Sequence, residues 1–415
     1  MAEWEETSAP GVTSAPNAAD KSITEIDNQY VAHTYARFPL ELVSGKGSVV
    51  TSSEGRDYID LGSGIAVTSF GIADDAWVAA ITEQAGRIQH ASNLYYTEPC
   101  ARLAQVLCER TGMSRVFFSN SGAEANECAI KAARKYAAER HGAECTTIIT
   151  LQNSFHGRTL TTLAATGQDT FHKLFVPLTP GFVSVPANDV QAMREAVDAC
   201  GACGPAGIMV ELVQGEGGVN VLDQTYVAEL ARLAAERDIV FIVDEVQTGN
   251  GRSGSLYAFQ EFGIMPDVVS TAKGLAGGLP LGATMLGEKV KDIFAPGDNG
   301  STFGGNPVAA AGALSIVNRI DDALLAEVRE KSRMVFETLE GAEGIEDVCG
   351  MGLMLGVKTT KPAAEVIAAC RELSSPEGRG VLVLSAKGKV RLLPALNIPR
   401  ELLAEALEVL KRACK

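Results

Sequence analysis

The sequence predicts an α/β protein: a large domain around a mostly parallel sheet, then a smaller α+β unit. Three observations lead there. Short apolar, β-branched runs alternate with longer amphipathic stretches through the middle of the chain. The runs are mostly apolar without strict alternation, as strands covered on both faces tend to be. After Asn306 the texture changes to an Ala-rich stretch, a long charged helix pattern and scattered short strands.

In chain order, residues 1–21 read as a disordered tail of Ala, Ser, Thr, Pro and acids. Residues 22–70 form a mixed segment expected to pack with the smaller domain, with a helix near Glu25–His33 and strands near Ser48–Val50 and Tyr58–Asp60. The large domain is expected over 71–306. Its strand runs are Arg115–Ser119, Thr146–Leu151, Gly207–Leu212, Ile239–Val243, Val268–Ala272 and Ala283–Gly287. Its helices are Ala73–Ala85, Glu98–Arg110, Gly122–Arg140, Gln191–Ala199 and Thr225–Arg237. The smaller domain, 307–415, opens with Pro307–Ile320 and continues with a helix at Ala323–Leu339 and strands around Val348–Lys358 and Val381–Leu393.

Composition narrows the function. The chain has 415 residues, 46% hydrophobic, enough for a large core. A net charge of −15 repels a phosphate backbone, which argues against nucleic acid as partner. The first basic residue is Lys21, and no apolar run approaches the ~20 residues that span a bilayer. A cytoplasmic protein with no membrane partner is expected. Nine Cys are too dilute for a disulfide scaffold. Cys200-Gly-Ala-Cys203 has no second CxxC and ends a helix, so it reads as ordinary structure, and no metal site is expected.

Two strand ends suggest one chemistry. Ile239–Val243 delivers Asp244, and Val268–Ala272 delivers Lys273 into a Gly-rich turn. Alone, each would read as a helix cap, a salt bridge or a solvated ammonium. Together they fit an aldehyde cofactor: a lysine amine can join it covalently, and an acid can keep a pyridine nitrogen protonated. Pyridoxal phosphate also needs a phosphate cup. Ser121, Gly122 and Ala123 open a helix of about five turns, whose free N–H groups and dipole favour a dianion. The plainer reading is a capping box of Ser121 with Glu124. Phe155 could lie on a cofactor face and Arg158 could clamp a carboxylate. Glu216 sits in the glycine-rich Gln214–Gly218 loop.

The stretches Asn120-Ser-Gly-Ala-Glu-Ala-Asn126, Phe155-His-Gly-Arg-Thr159, Gln214-Gly-Glu-Gly-Gly218, Asp244-Glu-Val-Gln-Thr-Gly249, Ala272-Lys-Gly274 and Ser301-Thr-Phe-Gly-Gly-Asn-Pro307 resemble class III pyridoxal-phosphate aminotransferases, in family order, from about Tyr35 onward. Asn153–Thr159, Gly62-Ser-Gly-Ile-Ala66 and Ser92-Asn-Leu-Tyr-Tyr96 most resemble the acetylornithine branch. Gly71-Ile-Ala-Asp-Asp75 and Cys349-Gly-Met-Gly-Leu353 depart from its usual pattern.

The resemblance implies a fold-type I transferase with a seven-stranded sheet and pyridoxal 5′-phosphate as cofactor. Lys273 would hold the cofactor and shuttle the proton, and Asp244 would pair with the pyridinium. Gln247 would bond the ring hydroxyl, Phe155 would stack on the ring, and Gly122 and Ala123 would donate to the phosphate. Ser121, His156, Glu245 and Val246 would complete the cofactor set. Thr302 would reach the phosphate of a neighbouring subunit in a homodimer. Arg158, Ser301, Glu216 and Arg391 would bind substrate, with Arg391 gripping the α-carboxylate of glutamate or 2-oxoglutarate. The implied reaction moves the terminal amine of N2-acetylornithine to 2-oxoglutarate. Other ω-amino donors (ornithine, 4-aminobutyrate, succinylornithine, succinyldiaminopimelate) remain alternatives, as does a non-catalytic protein of the same fold. A nicotinamide dehydrogenase is disfavoured because no G-x-G-x-x-G follows an early strand.

Overall fold

The computed structural model describes residues 21–415. The expected tail therefore lies, except for Lys21, outside the described residues. Seven strands form the central sheet, in spatial order Arg115–Ser119, Gly282–Leu286, Val268–Thr271, Val240–Asp244, Gly207–Val210, Ile148–Leu151 and Phe182–Val185. Gly282–Leu286 alone runs against its neighbours.

The alternation of side chains along these strands divides the core in two. Ile148, Met209, Val240 and Ile242 cluster with Ala129, Ala133 and Ala137 of helix Gly122–Arg140. Ile149, Ile208, Phe241 and Val243 cluster instead with Leu230 and Leu233 of helix Gln224–Glu236. Small alanines let the first helix approach closely, and Ser121 caps it by accepting from the Glu124 amide at 3.2 Å.

Two expectations need correction. The edge strand Phe182–Val185 was not among the expected runs; its middle residues Val183 and Ser184 are exposed, as suits the rim of the sheet. Helix Pro307–Val317 was assigned to the smaller unit, yet Ala309, Ala310, Ala313 and Ile316 enter the large core with Val243 and Leu281. It packs on Asp75–Ala85 and Glu98–Thr111. A helix with almost no polar face needs core on most sides, and only the larger layer supplies it.

The second core belongs to an antiparallel sheet ordered Ile345–Met351, Met354–Thr359, Lys389–Leu392, Leu384–Ala386. Val348, Leu355 and Val390 meet Val335, Leu407 and Leu410 from covering helices. Ile59 and Leu61 join this cluster, and strand Asp57–Asp60 pairs in parallel with Gly380–Leu382. Among the described residues no helix is long and apolar enough to cross a membrane.

Candidate active site

Register brings the chemistry together. Asp244 is level with Ser270 on the neighbouring parallel strand, so Asp244 and Lys273 leave the sheet at the same edge. Gly282 lies opposite Ser119, which puts Ser121 and the start of helix Gly122–Arg140 at that edge too. A pocket of about 440 Å³ opens there, lined by Ser121, Gly122, Ala123, Phe155, His156, Arg158, Asp244, Val246, Gln247 and Lys273.

Asp244 is 3% exposed and fully engaged. Its Oδ2 accepts from Asn126 Nδ2 at 2.7 Å and faces His156 Nδ1 at 2.8 Å, while Oδ1 accepts from the Val246 amide at 3.0 Å. Burial opposes a charge on His156, but the bond to Asp244 and the charges of Asp244 and Glu211 outweigh it and raise its pKa. Glu211 sits behind them, accepting from the amides of Phe155 and Gly215. Burial, reinforced by Asp244, pushes it up to about 7 against the charge of His156.

Lys273 takes a left-handed backbone, φ 41°, uncommon for a side chain of this size. Burial lowers its pKa, with Glu216 and Asp244 pulling the other way. Beside it runs a left-handed turn over Ser63–Ala66, with φ values of 46, 61, 64 and 61°. Asp60 Oδ1 pins that turn by accepting from the amides of Gly62 and Ser63 at 2.7 and 2.9 Å. Ser69 Oγ then donates to the Gly274 carbonyl at 3.2 Å. Strained backbone held this firmly against one lysine is a common mark of a functional site.

A carboxylate–guanidinium pair adjoins the pocket. Arg391 Nη1 and Nη2 meet Glu216 Oε1 and Oε2 at 2.7 and 3.3 Å, and Nη1 also donates to Gln247 Oε1 at 3.1 Å. Burial would raise the Glu216 pKa, but the charge and hydrogen bonds of Arg391 hold it below the usual range. Arg158 is exposed at the pocket rim, its guanidinium 4.0 Å from the Phe171 ring centroid and 5.5 Å from that of Phe155.

The same family model that describes aminotransferase class-III proteins matches residues 30–414. The chain belongs to the class-III aminotransferase family. This aminotransferase is 46% identical to the acetylornithine aminotransferase of Haemophilus ducreyi over 94% of its own length and 97% of the relative's. It resembles the crystal structure of N-acetylornithine aminotransferase from Stenotrophomonas maltophilia with a TM-score of 0.79 at 34% identity, covering 94% of this chain and 97% of that one. It also resembles ornithine aminotransferase from Toxoplasma gondii, crystallised with PLP at partial occupancy in its active site. There the TM-score is 0.88 at 30% identity, over 95% of each chain.

Not every expected residue of this aminotransferase reaches the pocket. Glu245 turns away beneath the sheet edge, where its carboxylate accepts from Thr248 Oγ1 at 2.5 Å and the Phe259 amide at 2.7 Å. The strand's alternation sends it opposite to Asp244. Ser301 and Thr302 line a separate cavity of about 490 Å³. Ser301 Oγ is tied to Asn120 Nδ2 at 3.2 Å, while Thr302 is exposed. Conversely, Asn126, Glu211 and Phe171 were not singled out from the sequence. Asn126 stood inside a quoted motif, which was the available signal; Glu211 and Phe171 offered none.

Proposed function

We propose that this chain transfers the terminal amino group of N2-acetyl-L-ornithine to 2-oxoglutarate, with pyridoxal phosphate bound at Lys273. The observation that carries the reading is the convergence of Asp244, Lys273 and a helix N-terminus on one pocket. The residues suit the cofactor. The Gly122 and Ala123 amides have no acceptor inside their helix, and a Cβ on Gly122 would stand 2.6 Å from Val246 Cγ1, so any larger residue there would have to push Val246 aside. Lys273 Nζ makes no hydrogen bond or ion pair among the described residues, although it faces the pocket.

When bound, pyridoxal phosphate supplies a carbonyl carbon for amines and a sink for the electron pair left by a departing proton. The protein supplies the rest. Asp244, oriented by Asn126 and His156, would hold the ring nitrogen's proton. Lys273 Nζ, with its pKa lowered by burial, is suited to take a proton from the substrate carbon and return it nearby. Gly122 and Ala123 would donate to the phosphate, Phe155 would lie on the ring and Gln247 would meet its hydroxyl. Arg158 would take the carboxylate of acetylornithine, and Arg391, released from Glu216, the α-carboxylate of 2-oxoglutarate.

We read the active unit as a homodimer, with the partner's copy of Thr302 completing the phosphate site. In support, Thr302 lies outside its own chain's pocket and its cavity is lined by the exposed rings of Tyr95 and Tyr96, while their chain neighbours Leu94 and Phe303 are exposed as well. Two inactive variants, Lys273→Ala and Thr302→Val, should restore activity when mixed and reassembled; a fully active monomer would refute the dimer.

The acetylornithine assignment rests on the relatives' names, and the likeness to ornithine aminotransferase keeps ornithine as the rival donor. Glutamate formation from 2-oxoglutarate with each donor in turn separates them. Acetylornithine should exceed ornithine in kcat/KM, and the reverse order would overturn the substrate. Borohydride reduction should fix a phosphopyridoxyl group on the Lys273 peptide; a label only elsewhere would overturn the site.

A further inference from the structure

The edge of the sheet opposite Lys273 carries a cluster that the aminotransferase reaction does not use. Ile148 and Gly207 begin adjacent parallel strands. The segments entering them are tied by the Ala206 amide donating to the Thr147 carbonyl at 2.7 Å. That pairing brings Cys145, just before one strand, to Cys203, just before the other. The two sulfurs and a Glu144 carboxylate oxygen all lie within 4.8 Å of one another. Cys145 is 1% exposed, Cys203 is half-buried and Glu144 reaches solvent. Cys203, read from the sequence as half of an idle Cys-x-x-Cys, thus finds its neighbour on a different loop.

We propose that Glu144, Cys145 and Cys203 bind a zinc-class divalent cation. Two thiolates and a carboxylate are the donor set such d¹⁰ ions prefer. Tetrahedral zinc, with bonds of about 2.0–2.3 Å, needs ligand atoms about 3.4–3.8 Å apart. The ligand atoms, all within 4.8 Å of one another, need to close by about 1 Å at most to reach that spacing, and exposed Glu144 has room to adjust. Three ligands leave a fourth position for water. Binding expels the two S–H protons to solvent as the sulfurs coordinate, with no change of oxidation state. The ion would staple two neighbouring strands far from the pocket, raising thermal stability without entering the reaction.

Cobalt(II) is the probe, added to the reduced holoenzyme. Tetrahedral thiolate coordination gives strong absorption in the red, clear of the cofactor's yellow. We expect one cobalt per chain, displaced by zinc, and at least tenfold weaker binding in Cys203→Ser with aminotransferase activity unchanged. Glu144→Gln should weaken binding less. Cys145→Ser tests the buried ligand, and half-exposed Cys203 keeps the test decisive if that variant fails to fold. Absence of the red bands in reduced wild-type protein, or bands of equal strength in Cys203→Ser, would overturn the site.

Discussion

Removing the carboxylate of Glu216 should unbalance the two halves of the reaction. Arg391 is 3% exposed, and its guanidinium has two carboxylate contacts and one to Gln247. Its Nε has no partner among the described residues, so the cation depends on those bonds. In Glu216→Ala only Gln247 Oε1 remains. Stripping one side of a buried pair costs about 3–5 kcal/mol. Here Glu216 is 30% exposed on its side chain and Gln247 stays, so the loss should fall near that of a charged hydrogen bond, about 1.5–3 kcal/mol. The loss strikes the acetylornithine half-reaction, where no substrate carboxylate serves Arg391. In the proposed 2-oxoglutarate half-reaction the substrate carboxylate would replace Glu216, and a pair that no longer has to break should help. The ratio of the two efficiencies should therefore shift about ten- to a hundredfold. Because the Glu216 pKa is depressed, the pair's contribution is full above the ordinary carboxylate range and disappears only as pH falls below it. The asymmetry should persist across neutral pH. Single-turnover kinetics of each half-reaction supply the measurement, and equal losses in both would refute the reasoning.

Asn126→Ala should behave in the opposite way. It removes the donor to Asp244 and to the His156 carbonyl, so both half-reactions should slow together by about 1.5–3 kcal/mol, as rapid-quench rates would show. Gly122→Ala forces a methyl against Val246 Cγ1 and Cγ2 at 2.6 and 2.9 Å. Cofactor retention on dialysis should fall by about 1–3 kcal/mol of overpacking, and a second change, Val246→Ala, should restore it. Glu245, pushed by burial to about 7 from an ordinary 4.5, binds its proton more tightly folded than unfolded. Its contribution to stability is thus full below about 4.5 and lost as pH rises through 7, at most about 3 kcal/mol. Thermal melts of Glu245→Gln should show a flatter pH profile over that window than wild type.

The meeting of Asp244 and Lys273 at one edge was legible because parallel strands end together and each residue directly follows a short strand run, Ile239–Val243 and Val268–Ala272. The helix behind Ser121 was legible from its cap and its alanines. What escaped the sequence depends on approaches between distant segments. Asn126 is an ordinary amide in mid-helix until the sheet places Asp244 beneath it. Glu211 ends a strand like many acids, and only the fold sets it under the amides of Phe155 and Gly215. Glu245 misled in the other direction: standing next to Asp244 in a motif suggested a shared role, while strand geometry sent it to the far face. Helix Pro307–Val317 was misplaced for a related reason, since composition marks a buried helix but not which core buries it.

The single antiparallel strand bears on how the protein is made. Arg115–Ser119 is an edge strand whose only sheet partner among the described residues, Gly282–Leu286, is translated much later. At about 5–20 residues per second, the ribosome leaves this apolar strand unpaired for on the order of ten seconds or more. Such an edge is the kind that nascent-chain chaperones shield. The anion cradle behind Ser119 is not fixed until Gly282 arrives beside it. Loading of the proposed cofactor would therefore be a late event, open only to a chain whose large sheet has already closed. Polypeptides truncated between Lys273 and Gly282 should emerge colourless and prone to aggregate, even though they already carry Lys273.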